Sequence, residues 1–313
     1  MSDILIAEIS GKRPGDVKKR PTEKFITYHD KVIISNNSEG YITDWPIINV
    51  PDDYRDWYCN NIKNSERAWY APMNRSYAIK YAREHGYKYL VQLDDNICFL
   101  EISYYEKTNG VRRRYREQSR TEMLDDYINV FKTILENTNA VMVGGQLAGT
   151  AQPDMRCLVE GYVYSIFMLK LENCPDVFQG DFEDDVEYRL KCAQMGLPVV
   201  QVNCFRYSKV GQAKSKDLTG CRAEYAKAGL KRGEHMTKLY SDEYSCSMTH
   251  YGHHTRAEYE EEAVNFKHKL KRFKVGVIVK DKETILKSIS DVFAKYGQKK
   301  KDFSVIREKR HRG

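Results

Sequence analysis

An apolar and aromatic run, Tyr87-Lys-Tyr-Leu-Val-Gln-Leu93, stops on two adjacent carboxylates, Asp94 and Asp95, with Asn96 behind them. Just upstream, Pro72 opens a segment in which Tyr77, Ala78, Tyr81 and Ala82 recur at helical spacing. Gly86 closes that segment as a C′ residue, so the order is helix, then strand, then acids. The carboxylates emerge at the strand's carboxyl end, which is where ligands bind in open α/β sheets. Two acids side by side repel each other, so the pair implies a cation between them or acid–base work. A solvated Asp/Asn turn is the plain alternative.

A second acidic cluster weighs against a mere turn. Gly180-Asp181-Phe182-Glu183-Asp184-Asp185 runs straight into Val186-Glu-Tyr-Arg-Leu-Lys-Cys-Ala-Gln-Met195-Gly196. Val186, Leu190, Ala193 and Met195 suit a helix that Gly196 stops, with Pro198 just beyond. Acids at a helix N-terminus are favoured by its dipole. Capping accounts for one or two of them, and the rest point to a site.

Together the two clusters resemble the GT-A class of nucleotide-sugar glycosyltransferases. NRSYAIKYAREHGYKYLVQLDDNI is similar to that family's helix–strand–acid signature, and GDFEDDVEYRLKCAQMGLPVVQV to its later acid–helix–strand block. The resemblance covers roughly Met1 to Tyr251. Its nearest branch is the phage TET-associated glycosyltransferases, which attach sugars to hydroxymethylated pyrimidines in DNA. It implies a GT-A-like α/β fold and a UDP-sugar donor held with a divalent metal (Mn2+ or Mg2+) by Asp94 and Asp95. A histidine late in the chain would complete the metal site, with His250 the first choice and His253 the second. Asp185 is the expected catalytic base, Asp184 the next choice, and Asp181 and Glu183 would hold sugar hydroxyls. Lys12, Arg13, Ser35 and Asn36 stand where the family contacts base, ribose and diphosphate. The family often has a third Asp where this chain has Asn96.

The rest of the chain alternates in a βαβ manner that implies a largely parallel sheet. Ile4–Ile9, Lys31–Ser35, Ile47–Val50, Ala140–Val143 and Tyr162–Met168 read as strands, the last at the wall of an acceptor site. A helix is expected from Pro21 to about Tyr28. Gly144 and Gly145 would let a ligand approach the backbone. Residues 1–251 read as the glycosyltransferase domain and 252–313 as a small basic α/β extension. In that extension a charged helix would run from Arg256 to Lys271, then a strand Val275–Val279, then a helix from Lys282. No P-loop and no dinucleotide fingerprint occurs, which removes most support for kinase, ATPase and dehydrogenase readings.

Eight cysteines without a C-x-x-C pair fit reduced thiols in a cytoplasmic protein. No apolar run approaches the ~20 residues of a membrane span, so no membrane partner is expected. A net charge of +7 mildly favours an anionic partner. Its distribution says more. Arg112, Arg113, Arg114 and Arg116 follow Tyr104 and Tyr105, and Lys209 and Lys214 stand in a basic loop. Such clusters suit phosphate contacts and base stacking. Taken with these clusters, the resemblance implies as acceptor the hydroxyl of 5-hydroxymethylcytosine in phage DNA, a hypermodification that shields DNA from host nucleases, with the target flipped from the stack. Two alternatives stand beside it: the same chemistry on a polysaccharide, lipid or protein, and a catalytically idle DNA-binding module.

Overall fold

The computed structural model describes residues 2–62, 70–108, 111–148, 158–179, 184–210, 234–256, 261–271 and 275–297; at 70 and over 105–108, 111–114, 234–235, 248–256 and 261–268 only the backbone is described. It shows a mixed α/β fold with a central sheet flanked by helices. The strands are β1 (Ile4–Ser10), β2 (Asp30–Ser35), β3 (Ile47–Asn49), β4 (Tyr89–Asp94), β5 (Ile97–Thr108), β6 (Val111–Ser119), β7 (Met142–Leu147), β8 (Leu158–Glu160), β9 (Ile166–Lys170) and β10 (Val199–Lys209). They lie in the order β3-β2-β1-β4-β9-β7-β10-β5-β6, with β8 beside β10. β9, β5 and β8 run against the others, so the sheet is mostly parallel in direction.

Two-residue periodicity sends alternate side chains of β1 to opposite faces. Ile4 and Ile6 enter one core with Val91 and Leu93 of β4, where helix α3 (Leu124–Glu136) packs. A helix near the end of the described chain, α6 (Lys282–Lys295), adds Ile285, Ile289 and Phe293 to that same core. Leu5, Ala7 and Ile9 enter the other core, beneath α1 (Asp52–Asn61), α2 (Tyr70–Glu84) and α4 (Asp184–Gln194). The helix–strand–acid reading holds: Gly86 and Gly196 stop α2 and α4 in the left-handed conformation, at φ +77° and +73°.

Chain order sets the position of the crevice. From β1 the chain builds outward through β2 to β3, then returns to place β4 on the other side of β1. The sheet therefore has its switch point between the carboxyl ends of β1 and β4, where a crevice opens. Ser10 ends one of these strands and Asp94 ends the other.

Several local expectations are corrected. The Pro21 segment is only one 3-10 turn, Pro21–Lys24. Arg256–Lys271 is not helical: β11 (Tyr244–Arg256) and β12 (Glu261–Leu270) form an antiparallel hairpin, preceded by a short helix α5 (Glu234–Leu239). Val275–Val279 contributes a single bridge, from Val279 to Thr138. Gly144 and Gly145 lie within β7 and not in a loop. A Cβ on Gly144 would stand 2.6 Å from the Ile166 carbonyl oxygen, and one on Gly145 would stand 3.0 Å from that of Phe205. These glycines let neighbouring strands close on β7. Among the described residues no helix is long and apolar enough to cross a membrane.

One core residue breaks the apolar pattern. Glu8 of β1 is fully buried, and neither carboxylate oxygen has a hydrogen-bond partner. Arg20, equally buried, comes only to 3.8 Å and spends its guanidinium on Glu23 at 2.5 Å and the Arg13 carbonyl at 2.6 Å. Burial, then the nearby Asp95 and Glu23, push the Glu8 carboxyl well above its ordinary value. A raised carboxyl contributes fully below its unfolded value near 4.5 and loses that contribution as pH rises toward the folded value. Glu8→Gln is therefore expected to match the parent near pH 5 and to exceed it at pH 8. The gap should widen by up to about 1.4 kcal/mol per pH unit. Urea denaturation at the two pH values checks this, and a pH-independent gap would contradict it.

Candidate active site

The carboxyl ends of β4 and β10, the start of β9 and the first turns of α2 and α4 converge on one cluster. Asp94 ends β4 with its backbone already fixed. Its N–H donates to the Ser165 carbonyl at 2.8 Å, and its carbonyl accepts from Thr22 at 2.5 Å. Its two carboxylate oxygens face different cations. Arg75 Nη2 reaches Oδ1 at 2.5 Å, and Lys209 Nζ reaches Oδ2 at 2.5 Å. Lys209 also donates to Ser165 Oγ at 2.8 Å.

Arg75 joins the two acidic clusters. Its Nε lies 3.3 Å from Asp184 Oδ2 at the start of α4, while Nη2 holds Asp94. The guanidinium is buried between the rings of Phe167 and Phe178, with centroids at 5.3 and 5.8 Å. The chain before α4 is pinned to α2 and α1 as well. Phe178 N–H donates to Ser76 Oγ of α2 at 2.9 Å, and the Tyr58 hydroxyl of α1 donates to the Phe178 carbonyl at 2.5 Å. Arg75 and Ser76 are successive residues of α2, so this one turn positions both the arginine and the approach to the second acidic run.

Asp95 turns the other way, into the crevice between β1 and β4. Its Oδ2 accepts from Ser10 Oγ at 2.8 Å and pairs with Arg13 Nε at 3.2 Å. Asn74 of α2 donates to the Ser10 carbonyl at 2.8 Å and to Asn36 Oδ1 at 3.4 Å, and its own Oδ1 is buried without a partner. Ser35 Oγ accepts from the Asn37 N–H at 3.1 Å. Lys12 lies at φ +56° and Ser165 at φ +25°, two strained non-glycine residues flanking the same crevice.

Electrostatics separate the carboxylates. Burial presses the Asp94 carboxyl upward, but Lys209 and Arg75 prevail and hold it well below the ordinary range. Burial prevails at Asp95 and raises it against Arg13 and Ser10. Burial also raises Asp184, with Asp94 adding to it and Arg75 opposing. Carboxyl groups whose environments pull them apart in this way are the usual arrangement for acid–base roles.

The expected site residues divide accordingly. Asp94, Asp95, Asp184 and Arg13 come together, with Asp185 next along α4, and Lys12, Ser35 and Asn36 rim the crevice. Lys209, expected among nucleic-acid contacts, stands instead on Asp94. Arg116 pairs with the buried Glu101 at 2.5 Å, so its guanidinium is engaged within the sheet. Arg112, Arg113 and Arg114 fall on β6, at the sheet's edge. His250 and His253 fall on β11, which pairs with β12. Gly145 is buried in β7. Asp181, Glu183 and Lys214 lie outside the described residues. The sequence reading missed Arg75, Asn74 and Ser165. A cleft of about 260 Å³ lined by Tyr162, Arg189 and Lys269 touches Val199, at the opposite end of β10 from Lys209.

The donor set suits a divalent cation poorly. Among the described residues no group of three His, Cys, Asp or Glu side chains is arranged to hold one. An ion between Asp94 and Asp95 would have to displace Lys209 or Arg75 from Asp94 and sit beside Arg13. The described residues as arranged do not fit it.

No family model matches the chain, and no curated protein matches it. Among solved structures it is similar to a "putative nucleotide-diphospho-sugar transferase" from Desulfovibrio desulfuricans G20, at 13% identity and a TM-score of 0.36, over 77% of this chain and 99% of that one. A similarity this slight leaves the reading of this chain to its own residues.

Proposed function

We propose that the protein is a nucleotide-sugar glycosyltransferase whose reaction centre is the cluster around Arg75. The observation that carries this reading is the single buried guanidinium holding Asp94 and Asp184, residues 90 positions apart, at 2.5 and 3.3 Å beside the switch-point crevice. A sugar nucleotide needs a polar crevice for base and ribose, positive charge for the diphosphate, and a carboxylate near the anomeric carbon. Ser10, Asn36 and Asn74 supply polar groups for the first. Arg13 and Lys209 supply the charge, and the first turn of α4 supplies the carboxylates.

In the reaction the acceptor hydroxyl attacks the anomeric carbon and a new C–O bond forms. The bond to the diphosphate oxygen breaks and its electron pair leaves with the diphosphate. Asp185 takes the acceptor proton, with Asp184 fixed beside it by Arg75. Sugar transfer to 5-hydroxymethylcytosine in DNA is the acceptor reading we favour. Support for a polyanionic acceptor comes from the run Arg112-Arg113-Arg114 on an edge strand and from the chain's net charge of +7.

The test is mass spectrometry of hydroxymethylated DNA after incubation with a panel of UDP- and other nucleotide sugars. A hexose or pentose mass added to hydroxymethylcytosine is expected. Donor turnover with a carbohydrate, lipid or peptide acceptor but none with DNA would retain the transferase and remove the DNA acceptor. DNA retention without donor binding would leave only a binding module.

A further inference from the structure

We propose that Lys209 and Arg13 form a built-in cationic clamp for the donor's diphosphate, doing in this chain what a divalent metal would otherwise do. The proposal rests on the sugar-nucleotide reading and concerns how the negative charge of the leaving group is met. Three cations already stand on the adjacent carboxylates, and they are not equivalent. The Arg75 side chain is 7% exposed, and its guanidinium is divided between Asp94 and Asp184, so it serves the frame. Lys209 and Arg13 side chains are 28% and 27% exposed and face the crevice from opposite sides of the Asp94–Asp95 pair.

Both have donors to spare. The Lys209 ammonium carries three protons and gives one each to Asp94 Oδ2 and Ser165 Oγ, at 2.5 and 2.8 Å. Arg13 meets Asp95 at Nε, 3.2 Å away, and among the described residues both terminal nitrogens of its planar fork remain available. Asp94 and Asp95 thus act as anchors that aim the two cations, and their charge is already matched. A cation clamp of this kind binds a diphosphate directly and strengthens its hold as charge grows on the departing oxygen. It also places positive charge where a divalent ion would have to enter, so the ion is repelled as well as displaced.

Two measurements on the full chain test this. Titration with UDP, followed calorimetrically, is expected to give the same Kd in EDTA and in millimolar Mn2+. Lys209→Met should weaken UDP binding by about 10–100-fold, the loss of one charge-assisted contact, and Lys209→Arg should restore most of it. Mn2+ alone, followed by electron paramagnetic resonance, is expected not to bind the parent. It should gain binding in Lys209→Met, where Asp94 is released, with near-ultraviolet circular dichroism confirming the fold. UDP binding that requires Mn2+, or Mn2+ binding to the parent that Asp95→Asn abolishes, overturns the clamp and leaves the donor reading standing. UDP and other nucleoside diphosphates failing to bind in either condition would remove the donor reading, and the clamp with it.

Discussion

Arg75→Met is expected to destabilise the protein by about 3–5 kcal/mol, the usual consequence of removing one partner from a buried ion cluster. Methionine approximates the length of the stem and can fill the space between Phe167 and Phe178, so loss of packing is a minor part of the effect. What remains is Asp94 and Asp184 without the guanidinium that links them, two carboxylates that then repel each other across the gap. The effect carries a pH signature. In the parent, Asp94 is held below its ordinary value, so its contribution is present above the unfolded value of 3.8 and is lost only as pH falls through the folded one. Asp184 is raised, so its ionisation works against the fold as pH increases. Removing Arg75 weakens the first and worsens the second. The deficit should therefore be largest near pH 7 and shrink toward pH 4, where the carboxylates take up protons. Urea denaturation at both pH values measures it. A loss below about 1 kcal/mol, or one that does not change with pH, would mean that the two acidic clusters are not coupled through this residue. Asp184→Asn in the Arg75→Met background should recover part of the loss, because it removes one of the stranded charges.

How far the site could be read from the chain follows from which physical signal each residue leaves. The carboxylate pair was legible because a strand-forming run ends on it, and α4 because apolar spacing and Gly196 bound it. Arg75 was overlooked although it leaves a signal: it stands at i relative to Ala78, Ile79 and Ala82, all buried, so it is a charge on the apolar face of α2. A charge at that position must meet a partner inside the protein. Lys209 obeys the same logic as Asp94, since it ends the long buried strand β10, but the basic residues after it made it look like part of a loop. The β11–β12 hairpin was misread because Glu and Lys dominate its second strand. Val264, Phe266, His268 and Leu270 nonetheless alternate there at period two, the strand signature, and helical spacing of the charged residues was the wrong template. Glu8 left a signal of the same kind, a lone charge inside the buried run Ile4–Ser10. Arg20 left none, because its neighbour Glu23 reads as an ordinary surface pair and only the tertiary fold buries it.

The second large effect separates chemistry from framework within α4. Asp185→Asn keeps the shape of the side chain and its capacity to accept the Val186 N–H, which lies 2.8 Å from Asp185 Oδ1, but it cannot take up a proton. Turnover is expected to fall about 10²–10⁴-fold while UDP affinity and thermal stability stay close to the parent. Asp184→Asn differs in kind. Its Oδ2 is the partner of Arg75, so neutralising it should shift stability and disturb Asp94 through the shared guanidinium. Its activity loss should therefore come with altered donor binding and a changed denaturation midpoint. The comparison is read as kcat against KM for donor and acceptor, alongside the melts. A large kcat effect confined to Asp185→Asn assigns the base to Asp185. The same effect confined to Asp184→Asn, with stability intact, moves the base by one residue and makes Arg75 the group that holds it. If both variants turn over like the parent, no carboxylate of this helix removes the acceptor proton, and the direct-displacement mechanism at this cluster is wrong.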